Sequence, residues 1–309
     1  VTLLDFSETA LFEIDRELGE TFPAMSRTAA LVDVRNADRV TDCLLSERPD
    51  LVFHAAALKH VSMGERHPVE GVLTNVLGTW NVAEAARIAG AAQMVLISTD
   101  KAVDPTNVMG ATKRLAEAVI QGQQEGSATR FSAVRFGNVL GSAGSVVPIF
   151  RSQIDRGGPV TVTHPEMARY FMTIPEAAQL VLHATAACAG DLNAERARLF
   201  LLEMGEPVKI MDLARQMIAL SGRTPGKDIE IEITGLRPGE KLTEELLDEM
   251  EQSVPCAPKV LEVVSPTALG VAPAHLRRLE GIAGRGDTDE IRRALFELVA
   301  QIRGEKPVG

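Results

Sequence analysis

Only three cysteines occur in 309 residues. Cys43, Cys188 and Cys256 are far apart, odd in number and without metal-ligand spacing, so neither a disulfide framework nor a metal site is expected. A reducing compartment is the expected setting. Aromatic residues make up 4%, with one Trp and one Tyr, too few for a platform that stacks single-stranded bases. Basic residues are in deficit: 32 Lys+Arg face 42 Asp+Glu, a formal charge of -10, and no nucleic-acid partner is expected on that balance. No run approaches the roughly 18 apolar residues that cross a bilayer, and no secretory leader is expected. What is present is globular, with 45% hydrophobic and 24% charged residues.

Apolar runs alternate with helical patterns over the first half. Strands are expected at Val1–Asp5, Ala29–Asp33, Pro49–Ala57 (a buried one), Met94–Ser98 and Phe131–Phe136. Helices are expected at Ala10–Leu18, Ala37–Leu45, Val72–Ala89 and Gly110–Gln121. That alternation predicts an α/β fold, a parallel sheet sandwiched by helices. Beyond about residue 140, Gly141, Gly144, Gly157, Gly158, Pro148, Pro159 and Pro165 break the pattern into short segments. A helix over Ile174–Ala187, a strand over Arg198–Glu203, a helix over Ile210–Leu220 and an alternating strand over Ile229–Ile233 follow. A smaller, discontinuous second domain is the expectation. A surface helix is expected over Asp287–Ile302.

Open parallel sheets bind ligands beyond the carboxyl ends of their strands. Asp5 there suits a dinucleotide ribose, Asp33 and Val34 could frame an adenine, and Ala55, Ala56 and Ala57 would let a cofactor approach the backbone. Helix capping by Asp5 and close packing by the alanines are equally open readings. The glycine-rich phosphate loop of such folds would precede Asp5 by about 20 residues, so an upstream segment carrying the first strand is expected. The densest chemistry lies in Ser98–Lys113. Thr99, Asp100 and Lys101 fall where a strand gives way to a loop, with Lys101 a candidate base and Asp100 a candidate acid. Met109 and Lys113 are four apart, on one helical face.

The stretches His54-Ala-Ala-Ala-Leu-Lys-His-Val61, Thr74-Asn-Val-Leu-Gly-Thr-Trp-Asn81, Leu96-Ile-Ser-Thr-Asp-Lys-Ala-Val103, Asn107-Val-Met-Gly-Ala-Thr-Lys113, Arg135-Phe-Gly-Asn-Val-Leu-Gly-Ser142, Val160-Thr-Val-Thr-His-Pro-Glu166, Arg169-Tyr-Phe-Met-Thr173 and Gly235-Leu-Arg-Pro-Gly-Glu-Lys241 carry a resemblance. In order and spacing the chain resembles the bacterial polysaccharide-biosynthesis nucleotide-sugar 4,6-dehydratases of the extended short-chain dehydrogenase/reductase superfamily, in their membrane-attached, methionine-bearing branch.

The resemblance implies a Rossmann-type domain over 1–140 plus 170–205, lacking its first strand and glycine loop. It implies a nucleotide-sugar domain over 141–169 plus 206–285, with a C-terminal helix and tail over 286–309. It implies the conversion of UDP-N-acetylglucosamine or a related UDP-sugar to a 4-keto-6-deoxy product. Thr99 aligns with the catalytic hydroxyl, Asp100 with the acid, Lys101 with the base and Lys113 with the lysine of a Tyr-x-x-x-Lys pair. Met109 stands at the tyrosine position and cannot exchange a proton. Asn75 is placed with the cofactor, while Lys59, Asn138, Val146, Thr161 and Arg237 are placed with the substrate. The Asp5 carboxylate favours NAD over NADP, since a 2'-phosphate would meet a like charge, with Arg35 the nearby group able to reverse that. A homo-oligomer is expected, its catalytic part cytoplasmic and the whole protein held at the inner membrane by an upstream segment. A nucleotide-sugar 4-epimerase, a C5-inverting 4,6-dehydratase and a non-catalytic nucleotide-binding protein are the alternatives.

Overall fold

The computed structural model describes residues 1–142, 144–189, 196–265 and 270–304. The first half runs β1 (Thr2–Asp5), α1 (Glu8–Thr21), β2 (Thr28–Leu31), α2 (Ala37–Glu47), β3 (Leu51–His54), α3 (Val61–Arg66), α4 (Pro68–Gly71), a π-helical stretch (Val72–Leu77), α5 (Gly78–Ala89), β4 (Gln93–Ile97), a 3-10 turn (Asp100–Ala102), α6 (Val108–Gln124) and β5 (Arg130–Arg135). Then come β6 (Asn138–Val139), α7 (Val146–Asp155), β7 (Val160–Val162), β8 (Ala168–Arg169), β9 (Phe171–Met172), α8 (Ile174–Ala189), β10 (Arg198–Leu202), β11 (Val208–Lys209) and α9 (Ile210–Leu220). The chain continues through β12 (Ile231–Ile233), β13 (Gln252–Ala257), β14 (Val260–Val264), α10 (Pro273–Arg285) and α11 (Thr288–Ile302).

A six-stranded sheet ordered β13-β14-β10-β5-β4-β3 forms the centre. Its β3, β4, β5 and β10 are parallel, and β14 and β13 extend it as an antiparallel hairpin. A parallel pair, β1 with β2, lies apart. Both pieces cover one core: Leu4, Ala30 and Val52 pack against the cluster of Val40, Leu44, Val82, Ala86, Met94 and Leu96. The opposite face of the large sheet holds Val95, Val134 and Phe200 under α8 residues Leu180 and Ala184. Helices thus cover both faces, which explains why β4 and β5 are buried along nearly their whole length. Each fully buried Val or Phe there contributes about 1.5–3 kcal/mol by leaving water. The architecture is α/β and Rossmann-type, with a smaller mixed α/β part beside it.

That smaller part has its own core. Phe150 and Ile154 of α7, Val160 and Val162 of β7, and Ile210, Ala214 and Ile218 of α9 close on Ile229. β12 pairs with β7 in parallel, and β11 pairs with β8.

Three expectations are corrected. The buried strand expected over Pro49–Ala57 is a four-residue edge strand, with Leu51 38% and Phe53 44% exposed. No strand flanks β3 on its outer side among the described residues, so its apolar run is only partly covered. The helix expected over Val72–Ala89 starts in π form to Leu77 before continuing as α5. β13, β14 and α10 do not join the small part: the two strands extend the large sheet, and α10 packs Leu276, Leu279 and Ile282 against the π-helical stretch and α11. The expected tail at 305–309 lies outside the described residues. Among the described residues no helix is long and apolar enough to cross a membrane.

Candidate active site

The end of β4 carries the site. Thr99 is extended, and its Oγ1 accepts from the Lys101 N–H at 3.4 Å, capping the 3-10 turn that presents Asp100 and Lys101. Its own hydroxyl donates to Asp100 Oδ1 at 2.9 Å. Lys101 Nζ donates to the same Oδ1 at 2.9 Å and to Asn138 Oδ1 at 3.2 Å. Asp100 is fully buried, and its Oδ2 has no hydrogen-bond partner. A buried carboxylate oxygen left without a partner is costly.

Two glycines allow this packing. A Cβ on Gly110 would stand 2.2 Å from the Lys101 carbonyl oxygen, so only glycine lets the start of α6 approach the turn so closely. A Cβ on Gly137 would stand 2.9 Å from Tyr170 Cβ and 3.2 Å from Asp100 Oδ2.

Helix α6 begins at Asn107, whose side chain accepts from the Gly110 N–H at 2.8 Å. It places Lys113 under the β4 end, where Nζ donates to the Ile97 carbonyl at 2.7 Å. Burial pulls Lys113 down to about 8, against a smaller opposing pull from Glu117. Met109, 4% exposed, packs against α3 at Gly64. Asn75, in the π-helical stretch, accepts from the Leu58 N–H and donates to the Leu58 carbonyl and Thr112 Oγ1. It ties the loop after β3 to α6. That loop leaves Ala55 and Ala56 exposed with Ala57 half-buried, and Lys59 is exposed.

Other expected residues are differently employed. Asp5 Oδ1 accepts from the Ser7 N–H at 2.7 Å, starting α1, while the residue stays exposed. Asp33 binds Arg35 through both Nε and Nη2, and that contact holds its carboxyl below the usual range. Arg35 also reaches Glu70 at 2.9 Å, so its guanidinium is paired with two carboxylates. Val34 is buried against Gly78, inside the core rather than at an open edge. Thr161 exchanges hydrogen bonds with Gln153 of α7, and Val146 opens α7 half-buried. Arg237 is exposed, its backbone N–H donating to Glu240 at 3.1 Å. Its loop docks on the site through Gly239, whose carbonyl accepts from Asn107 Nδ2 at 3.0 Å.

One residue escaped sequence reasoning. Glu244, 6% exposed, places Oε1 3.7 Å from Lys101 Nζ and 3.5 Å from the Arg169 guanidinium. Its only signal was proximity to the Arg237–Lys241 motif. The structure therefore joins Thr99, Asp100, Lys101, Asn138 and Glu244 directly, with Lys113 beneath them at the end of β4.

The family model described as polysaccharide biosynthesis protein matches residues 1–263. The chain belongs to that family. CapD of Staphylococcus aureus, a capsular polysaccharide biosynthesis protein, is 52% identical over 253 residues, covering 81% of this chain and 41% of CapD. The chain thus spans about two fifths of that relative's length. A UDP-glucose 4-epimerase from Rickettsia bellii is 37% identical over 225 residues, 72% of this chain and 62% of the epimerase. Among solved structures, Pen from Bacillus thuringiensis has a TM-score of 0.74 at 37% identity, over 88% of this chain and 80% of Pen. A UDP-glucose 4-epimerase from Thermus thermophilus in complex with NAD has a TM-score of 0.64 at 22% identity, over 80% of this chain and 82% of the epimerase, a likeness of fold.

Proposed function

We propose that the protein is a nucleotide-sugar 4,6-dehydratase acting on UDP-N-acetylglucosamine or a related UDP-sugar, with NAD as its cofactor and surface polysaccharide synthesis as its setting. NADP is the lesser choice, because Asp5 is exposed at the end of β1 and Arg35 is committed to Asp33 and Glu70. The observation that carries the reading is the contact of Thr99, Asp100 and Lys101 around one carboxylate oxygen. The residues fit a dinucleotide: short alanine side chains at the β3 end, an open carboxylate at the β1 end, and Lys113 below β4. When bound, the nicotinamide would take the hydride from sugar C4 and return it to C6.

The protein's own groups move the protons. The C4 hydroxyl gives its proton to Thr99 as Thr99 passes its own to Asp100 Oδ1, a path that needs no phenol at Met109. Asp100, now protonated, gives that proton to the C6 hydroxyl, which leaves as water. Lys101, acting in its neutral form, takes the C5 proton in the same elimination and restores it to C5 as C6 is reduced. Both groups then stand as they began, and the net change is loss of one water. Acid and base held side by side suit elimination across adjacent carbons. Arg237 and Asn138 are proposed for the diphosphate, Val146 and Thr161 for the uracil side, and Lys59 for the sugar. The reading includes a homo-oligomer held at the cytoplasmic face of the inner membrane, which rests on the resemblance alone.

The test is mass spectrometry of UDP-N-acetylglucosamine incubated with the NAD-loaded full-length protein. The expected product is lighter by one water. A product of unchanged mass, epimerised at C4, would instead establish the epimerase reading that the Rickettsia bellii relative favours.

A further inference from the structure

Lys101 has neighbours from both parts of the molecule. Its Nζ contacts Asp100 Oδ1 at 2.9 Å from its own turn and Asn138 Oδ1 at 3.2 Å from β6. Glu244 Oε1, at 3.7 Å, arrives on the segment that follows the Arg237 loop. Asp100 and Glu244 are the charged groups in ion-pair contact with Lys101 among the described residues, and Lys101 and Arg169 are those in contact with Glu244.

The segment bearing Glu244 is pinned. Arg169, 7% exposed, donates from Nη1 to the Ala168 and Leu242 carbonyls at 2.7 and 3.0 Å, and from Nη2 to the Lys241 carbonyl at 2.8 Å. The Ala168 N–H adds a bond to the Leu242 carbonyl at 2.9 Å. Lys241 Nζ reaches Asp104 at 3.3 Å, on the loop that follows the Asp100–Ala102 turn. The backbone two residues before Glu244 is thus held, and its carboxylate lies nearly buried between Lys101 and Arg169.

We propose that Glu244 is a positioning residue for Lys101: its carboxylate, fixed by Arg169, holds the lysine head in place and stabilises the positive charge that Lys101 gains when it takes a proton from carbon. Resting on the dehydratase reading, this gives the contact a purpose. Between removal from C5 and return to C5 the proton resides on Lys101. A fixed negative charge beside the ammonium favours its formation and slows its loss to solvent. Asp100 holds a proton until water leaves, whereas Glu244 takes no part in the proton transfers and faces Lys101 at every step.

The experiment reads Lys101 without substrate. Acetic anhydride acetylates only the neutral amine, so peptide mass spectrometry of Lys101 acetylation across about pH 6 to 11 traces its titration. Glu244→Gln is expected to move the midpoint down by about half a unit or more, making Lys101 react about threefold faster or more below the midpoint. Glu245→Gln, which alters an exposed neighbour paired with Lys241, is expected to leave the curve in place. Glu244→Asp keeps the charge one methylene further back and gives an intermediate midpoint, and it serves should Glu244→Gln not fold. An unmoved curve in Glu244→Gln, or equal movement in Glu245→Gln, overturns the proposal. In turnover, Glu244→Gln is expected to shift the acidic limb of the kcat profile to lower pH and to raise deuterium exchange at C5 from heavy water. A shifted acetylation curve in a protein that releases no water would keep Glu244 in its role and defeat the dehydratase reading instead.

Discussion

At residue scale, Met109 stands where the resemblance would place a phenol, and its side chain is buried beside Gly64. On the proposed route of the C4 proton through Thr99 to Asp100, the thioether has only to fill space. Met109→Ala is therefore expected to lose about 2–4 kcal/mol of stability through lost burial and a cavity, while keeping kcat within about tenfold of the parent. Denaturant unfolding and turnover on one preparation check both. Loss of turnover with cofactor and sugar still bound would sink the packing role. His54 makes a different prediction. Burial, with a smaller push from Lys113, lowers it from 6.5 to about 3, and its Nε2 lies 3.0 Å from Thr79 Oγ1. Between those values the unfolded chain binds a proton that the folded chain refuses. Stability from this residue is thus intact above pH 6.5 and is lost as pH falls toward 3, by roughly 5 kcal/mol in all. Urea midpoints of His54→Gln measured over that window should show a much flatter decline than the parent; an equally steep decline would remove His54 as the cause.

At the scale of elements, a buried ionic cluster joins α6, β4, β5 and the residues just before β13. Arg135 is fully buried and donates to Glu117 at 2.7 and 2.8 Å and to Glu251 at 2.7 and 3.1 Å. Arg114 reaches Glu251 at 3.0 Å, and Ser98 donates to Glu117 at 2.6 Å. Burial alone would raise the Glu251 carboxyl, yet Arg135 and Arg114 outweigh it and hold it at about 2. The cluster ties Ser98, one residue before Thr99, to the helix that carries Lys113. Glu251→Ala leaves part of a buried guanidinium unpaired and should cost about 3–5 kcal/mol. A loss under about 1 kcal/mol in urea unfolding would show that water or another side chain replaces the carboxylate.

Legibility follows the range of the interactions. Thr99, Asp100 and Lys101 were readable because they are adjacent and sit at a strand end. Glu244 was not, because it meets Lys101 only through tertiary folding. The π-helical stretch at Val72–Leu77 keeps the apolar content of an ordinary helix, so composition conceals it. β13 escaped notice because Pro255 interrupts its pattern, and an edge strand tolerates the missing N–H. The β3 run was legible as a strand, but its burial depends on what lies beside it.

At the scale of the whole molecule, the family match ends at residue 263, whereas the packing does not. Leu276, Leu279 and Ile282 of α10, with Ile291, Leu295 and Leu298 of α11, share a core with Val72, Val76, Val108, Ala111 and Leu115. These helices cover the outer face of α6, whose inner face bears on the site. Arg303, just past α11, donates to Asp104 at 2.6 Å, and Asp104 in turn holds Lys241. The end of the chain is thus linked to the loop beside Lys101 and to the segment carrying Glu244. Ending the chain at Val264 would expose the apolar outer face of α6 and strip Asp104 of one partner. At about 25 cal/mol per Å² of apolar surface, uncovering a stripe of this size rivals the 5–15 kcal/mol stability of a typical domain. Such a chain is expected to lose its cooperative thermal transition and bind a dye that reports exposed apolar surface. Arg303→Ala should keep the transition and loosen only the loop, seen as faster amide exchange at residues 103–107. A cooperative transition in the shortened chain, at the parent's midpoint, would show that α10 and α11 are an appendage and that the core they complete is sufficient without them.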